Sequence, residues 1–252
     1  MLIKRKNSIL NFKYIVFLGS ALLLSVAVWF IFFAKELAPD FTAYAAGPER
    51  KTAFFNYFTP IIVDANKQLA ADRRQIQKIC DKGNSDAASL ESYLTKYRID
   101  DADLQQESAC QLLLRRADVV PVSLALAQAA NESAWGTSRF AKQGNNFFGQ
   151  WCFTKGCGIV PQSRDKGKAH EVADFRSPAD SVESYMMNLN RHDAYKPLRT
   201  IRQSLREKGF VISGLPLTHG LNKYSERGEE YGKELRDMIT FNDLTRFDTA
   251  SD

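Results

Sequence analysis

Hydrophobic positions follow different rhythms in different parts of this chain. Residues 14–34, YIVFLGSALLLSVAVWFIFFA, form an uncharged run of 21 with no polar face. At ~1.5 Å per residue, a helix of that length crosses a bilayer. Further on, apolar residues recur at helical spacing. Ile61, Ile62, Ala65 and Leu69 predict a long helix with Thr59 as N-cap and Pro60 in its first turn, running through Cys80. DKGNSD at 81–86 breaks it, and helices are expected over 87–97 and 102–116. Pro121 opens a helix of small apolar residues that stops at Gly136. Residues 147–175 lose the period: aromatic and β-branched residues alternate with Gly- and Lys-rich turns, so a β-hairpin or two is expected, with DKGK at 165–168 as a tip. Helical spacing returns with the N-cap pair Ser177-Pro178, then over 194–208, and over 227–240, where Tyr231, Leu235, Met238 and Ile239 share a face. The pattern predicts a mostly α, α+β body with one small β lobe. It divides the chain into a basic N-terminus (1–13), a membrane helix (14–34), a linker (35–52) and a folded domain (53–252).

Charge sharpens this picture. The formal net charge is +5, but Lys4, Arg5, Lys6, Lys13 and Lys35 all precede the first acidic residue, Glu36, and the rest of the chain is balanced. No stripe suited to tracking phosphates remains, so no nucleic-acid partner is expected. Basic residues ahead of the apolar run place the N-terminus in the cytoplasm and the domain on the exported side, held to the membrane by the N-terminal helix. The run is longer than a cleavable signal core of ~7–15 residues, which favours a retained anchor, while AYAAG at 43–47 leaves cleavage open. An exported domain meets oxidising conditions, and four cysteines fit two disulfides. Cys152 and Cys157 flank a short turn, which leaves Cys80 for Cys110. A zinc site is the rival reading, but the pair is loosely spaced and no second tight pair exists. His170, His192 and His219 form no two-histidine helical pair, so neither metal nor cofactor is expected.

Within ALAQAANESAWGTSRFAKQGNNFFGQWC (125–152) Glu132 is the one acidic residue. Gln128 lies one turn before it and Trp135 just after. The negative end of a helix dipole and an apolar setting both favour a protonated carboxyl. A carboxylic acid that keeps its proton near neutrality can protonate a leaving-group oxygen. Equally, a glutamate at a helix end can be a plain surface residue.

LAQAANESAWGTSRFAKQGNNFFG resembles the glucosaminidase family of bacterial wall hydrolases, glycoside hydrolase family seventy-three, whose pattern is apolar-A-Q-A-A-x-E-S-x-W-G followed by N-apolar-F-G. Residues 170–199 and 221–239 are similar to later segments of its Bax-type branch. The resemblance implies a lysozyme-like fold and hydrolysis of β-1,4 bonds after N-acetylglucosamine, usually in peptidoglycan glycan strands. It implies that Glu132 is the general acid, that Asn146, Phe147, Phe148 and Gly149 shape the cleft, and that Tyr224 sits near the scissile bond.

A second carboxylate is harder to place. Glu171, Asp165 and Asp174 are the candidates in the lobe, and Glu171 is the provisional base. Substrate-assisted chemistry would need none. Trp135, Phe147, Trp151 and Tyr195 could offer faces to sugar rings, and Gln128, Asn131, Asn145, Asn146 and Gln150 could offer hydrogen bonds. Rival readings are a lytic transglycosylase, a wall-binding module without turnover, and a zinc-stabilised regulatory domain.

Overall fold

The structure is a computed structural model and describes residues 17, 34–83, 87–162, 167 and 169–248. It divides into Met1–Glu36 and Leu37–Asp252. Apart from Phe17 and Ala34, the expected membrane run lies outside the described residues, as does most of the DKGK tip. Among the described residues, no helix is long and apolar enough to cross a membrane.

The second unit is mostly helical with a small three-stranded sheet. Its helices are α1 (Pro48–Asp81), α2 (Ala87–Lys96), α3 (Asp101–Leu104), α4 (Ala109–Arg116), α5 (Val122–Glu132) and α6 (Arg139–Gly144). Strands β1 (Trp151–Cys152), β2 (Gly158–Ile159) and β3 (Glu171–Ala173) follow, then α7 (Pro178–Arg191), α8 (Lys196–Glu207), α9 (Gly214–Leu217) and α10 (Glu229–Phe241).

α5 is the centre of the fold. Every residue from Val122 to Ala130 is buried, the signature of a helix enclosed on all sides. Its alanines let α1, α9, α10 and a 3₁₀ turn at Leu244–Phe247 close around it. Glu132, its last residue, is where this enclosed helix meets the partly exposed surface.

Two expected boundaries are corrected. The first long helix begins at Pro48, not at Thr59-Pro60, and Pro60 lies inside it. Phe54, Phe55, Phe58 and Ile62 form a buried face across the proline, and that burial outweighs the loss of one helical hydrogen bond. The stretch 35–52 is accordingly no free linker: Phe41 is 1% exposed within an aromatic cluster with Phe54 and Phe58. The expected helix over 102–116 is two helices, since Ser108 starts α4 with a capping box to Gln111. Ser177 caps α7 as expected, with Asp180 completing its box.

The sheet has the antiparallel order β1-β3-β2, pairing Trp151 with Val172, Cys152 with Glu171 and Gly158 with Ala173. Strands this short need cross-links. Cys152–Cys157 ties the lobe, and Cys80–Cys110 joins the end of α1 to α4. The Cys80–Cys110 loop spans 30 residues, and its chain-entropy contribution is roughly 3–4 kcal/mol, against about 2 for the lobe bridge. Replacing Cys80 and Cys110 by serine should therefore lower unfolding stability more than replacing the lobe pair, as read by denaturant titration. The reverse order would contradict this account.

A buried ion cluster ties the body together. Asp118, 2% exposed, receives Arg206 through Nε at 2.9 Å and Nη2 at 2.6 Å, with Arg73 at 3.5 Å and the fully buried Arg202 at 3.9 Å. Burial alone would raise its pKa, but Arg202, Arg206 and Arg73 together hold it below the ordinary carboxylate value.

Candidate active site at the end of the buried helix

The E-S-x-W-G stretch is a turn in which each residue has a separate job. Ser133 Oγ donates to Ala129 O at 2.6 Å and accepts from Gly136 N at 2.8 Å, which closes the end of α5. Ala134, Trp135 and Gly136 then take left-handed φ values of 51°, 59° and 74° in succession. Gly136 has no room for a side chain, because a Cβ there would lie 2.3 Å from Phe41. Trp135 packs edge-on against Phe54 and Phe55, with centroids 5.8 and 5.4 Å away. Its role is to seat the turn on α1.

The N-F-F-G segment is brought to the same place by Asn146. Its Nδ2 donates to Gln150 O at 2.8 Å and Ala173 O at 2.9 Å, and its Oδ1 accepts from Gln150 N at 3.0 Å. Phe147 drops into the core against Phe58 at 4.6 Å, and Phe148 stacks on Tyr185 at 3.9 Å. Gly149, with φ of 65°, is left exposed, and a Cβ on it would stand 3.6 Å from Glu132 Oε2.

Glu132 itself is partly buried. Tyr231 Oη donates to its Oε1 at 2.7 Å, and Gln128 Nε2 donates to Tyr231 Oη at 3.0 Å. Tyr231 lies flat on Tyr224 (5.3 Å, 3°), Tyr224 Oη donates to Phe148 O at 2.9 Å, and Tyr195 is 5.9 Å from Tyr224. Burial pushes the Glu132 pKa up. Hydrogen bonds from Tyr231 and Asn131 and the charge of Arg227 pull it back without cancelling the rise, and Glu234 adds to it. Arg227, paired with Glu234, lies over the Tyr231 ring. Burial here favours the protonated form of the carboxyl, the form from which a proton can be donated.

A family model described as Glucosaminidase, mannosyl-glycoprotein endo-beta-N-acetylglucosaminidase, matches residues 107–244, which include Glu132, the N-F-F-G segment, Tyr224 and Tyr231. The chain belongs to the glucosaminidase family. This glucosaminidase chain is also similar to Protein bax of Escherichia coli strain K12, with 31% identity over 207 residues that span 81% of this chain and 74% of that one. It is similar as well to the catalytic domain of the autolysin Auto from Listeria monocytogenes, at 17% identity and a TM-score of 0.46, covering 82% of this chain and 92% of that one.

The glucosaminidase domain brings Glu132, Gly149, Gln128, Tyr224 and Tyr195 together, but Gln128 is fully buried and serves Glu132 through Tyr231. It cannot reach a sugar. Asn146 and Phe147 are likewise buried and shape the turn from beneath. Trp135 is spent on α1. Trp151 is 60% exposed at the edge of the lobe and stacks on His170 at 4.2 Å.

Glu171 is the main correction. It is 5% exposed, and its carboxylate accepts from Gly156 N at 3.1 Å and Gly158 N at 2.9 Å, bracing the loop closed by Cys152–Cys157. Among the described residues, the one grouping with metal-ligand potential is Cys152, Cys157 and Glu171. Its two sulfurs are bonded to each other and offer no thiolate.

Tyr231, which the periodicity placed on an apolar helix face, and Tyr185, which lies in the buried face of α7, are the residues whose polar role periodicity alone does not show. A signal was available in both: a tyrosine hydroxyl in an apolar stripe needs a buried partner.

Proposed function

We propose that this domain hydrolyses β-1,4 bonds of N-acetylglucosamine in peptidoglycan glycan strands, with Glu132 as general acid. The observation that carries this reading is the Glu132 carboxyl: its pKa is raised by burial, one oxygen is anchored to Tyr231, and the other lies beside the exposed Gly149. The family's description, which names an endo-β-N-acetylglucosaminidase, supports the bond type. Tyr224, held between Phe148 O and the Tyr231 ring, borders the reacting bond, and Trp151 offers a sugar-stacking face. The base role is not assigned to Glu171, whose oxygens already serve backbone amides. The uncharged run 14–34 behind a basic N-terminus supports a membrane anchor, and two disulfides suit an exported domain.

The test is mass spectrometry of wall glycan incubated with membrane and soluble fractions of cells making the full chain. Hydrolysis predicts new reducing ends on N-acetylglucosamine, and the anchor predicts that the activity sediments with membranes. Products lighter by one water would identify a lytic transglycosylase instead. Retention of fragments without cleavage would leave only a binding module.

A further inference from the structure

Glu132 is held from beneath by hydrogen bonds that run in one direction. Tyr185 Oη donates to Gln128 Oε1 at 2.6 Å, Gln128 Nε2 donates to Tyr231 Oη at 3.0 Å, and Tyr231 Oη donates to Glu132 Oε1 at 2.7 Å. Tyr185, Gln128 and Tyr231 are at most 1% exposed. An amide accepts only through oxygen and donates only through nitrogen, and a tyrosine hydroxyl has one proton to give. With Tyr185 donating to the amide oxygen, the amide nitrogen must face Tyr231. The Tyr231 proton then goes to Glu132. Burial holds both tyrosine pKa values well above the usual range, so both hydroxyls keep their protons at neutral pH.

We infer that Tyr231, oriented by Gln128 and Tyr185, is a positioning residue that confines the acid proton of Glu132 to Oε2, the oxygen beside Gly149. Oε1 is then permanently an acceptor, and the proton sits on the oxygen that faces the exposed Gly149. The consequence for catalysis rests on the role proposed for Glu132, whereas the location of the proton does not. The other titratable groups around this carboxyl are Tyr224, Tyr185, Arg227 and Glu234, and the last two are paired and act on it in opposite directions.

Infrared difference spectroscopy on the full chain tests this directly. The carbonyl band of protonated Glu132 is assigned by its loss in Glu132→Gln. If Oε1 is the carbonyl oxygen and accepts from Tyr231, Tyr231→Phe should move that band to higher wavenumber. The band should also persist to higher pH, because the Tyr231 hydrogen bond holds the Glu132 pKa down. With wall glycan, kcat should fall about ten- to a hundredfold and KM should change little, since a bond to a potentially charged group is lost. Tyr185→Phe, which removes only a hydroxyl three hydrogen bonds from Glu132, should show the same directions at smaller size. A band that stays put or moves down in Tyr231→Phe overturns the inference, even if kcat falls, because a purely structural tyrosine would lower activity without touching that band. A shifted band in a protein that cleaves no glycan would uphold the proton's location and refute the proposed function.

Discussion

Glu132→Gln should slow cleavage of wall glycan by about 10²–10⁴-fold, the usual worth of a positioned general acid. Glutamine fills the same space and its amide oxygen can still accept from Tyr231, so the packing around α5 is kept. What is lost is an acidic proton at the position beside Gly149. The pH dependence follows from the direction of the shift. The acid must be protonated to act, and its pKa lies above the ordinary value of 4.5, so the alkaline limb of kcat should lie higher than a solvent-exposed glutamate would allow. The variant's stability should move the opposite way from its activity. A carboxyl whose folded pKa is raised contributes stability below its unfolded pKa, and loses it as pH rises through the folded one. Glu132→Gln should therefore melt no lower than the parent at pH 7, with any gain shrinking as the pH approaches 4.5. A variant that cleaves glycan at the parental rate would refute the assignment of Glu132.

Asp118→Asn should be among the most destabilising single changes in the domain, costing about 3–5 kcal/mol. For a domain of this size that corresponds to a fall in Tm of roughly 10 °C or more. The reason is asymmetry: among the described residues Asp118 is the one carboxylate shared by Arg73, Arg202 and Arg206, and Arg202 is fully buried. Burial already drags the Arg202 pKa down to about 10, with Asp118 opposing the fall. Removing the anion leaves a buried guanidinium with backbone carbonyls and Asn190 as partners, but no countercharge. Because the folded pKa of Asp118 is depressed, its contribution is complete above the unfolded value near 3.8 and is lost as pH falls through the folded one. The stability difference between parent and variant should thus persist at neutral pH and close only in strong acid. Equal denaturant midpoints at pH 7 would show that the cluster does not hold the body together.

Much of this fold can be read from local rules. The small-residue helix ending at Glu132, the cap at Ser177 and the pairing of the cysteines all rest on contacts within a few turns or on simple elimination. The start of α1 could not be read that way. Pro60 is a sound local signal for a helix start, and it is overridden because Phe54 and Phe58 bury against Phe41 and Phe147 while Phe55 packs on Trp135. The ion cluster was equally out of reach, since Asp118 and Arg206 are separated by 88 positions.

The amino-acid sequence by itself marked the carboxylate proposed as the acid: a lone glutamate at the end of a helix too apolar to be solvated, followed by a Ser, Trp and Gly that close a turn. It also determined the family, through those same residues. Only the tertiary structure decided what each neighbour does. Tyr231, 99 residues away, grips the carboxyl, while Gln128, one turn away, never meets solvent. Glu171, suitably placed in the chain for a base, is taken by two glycine amides. The physical reason is common to all three. A side chain's chemistry depends on its solvation and its hydrogen-bond partners, and in this protein most of those partners come from distant parts of the chain.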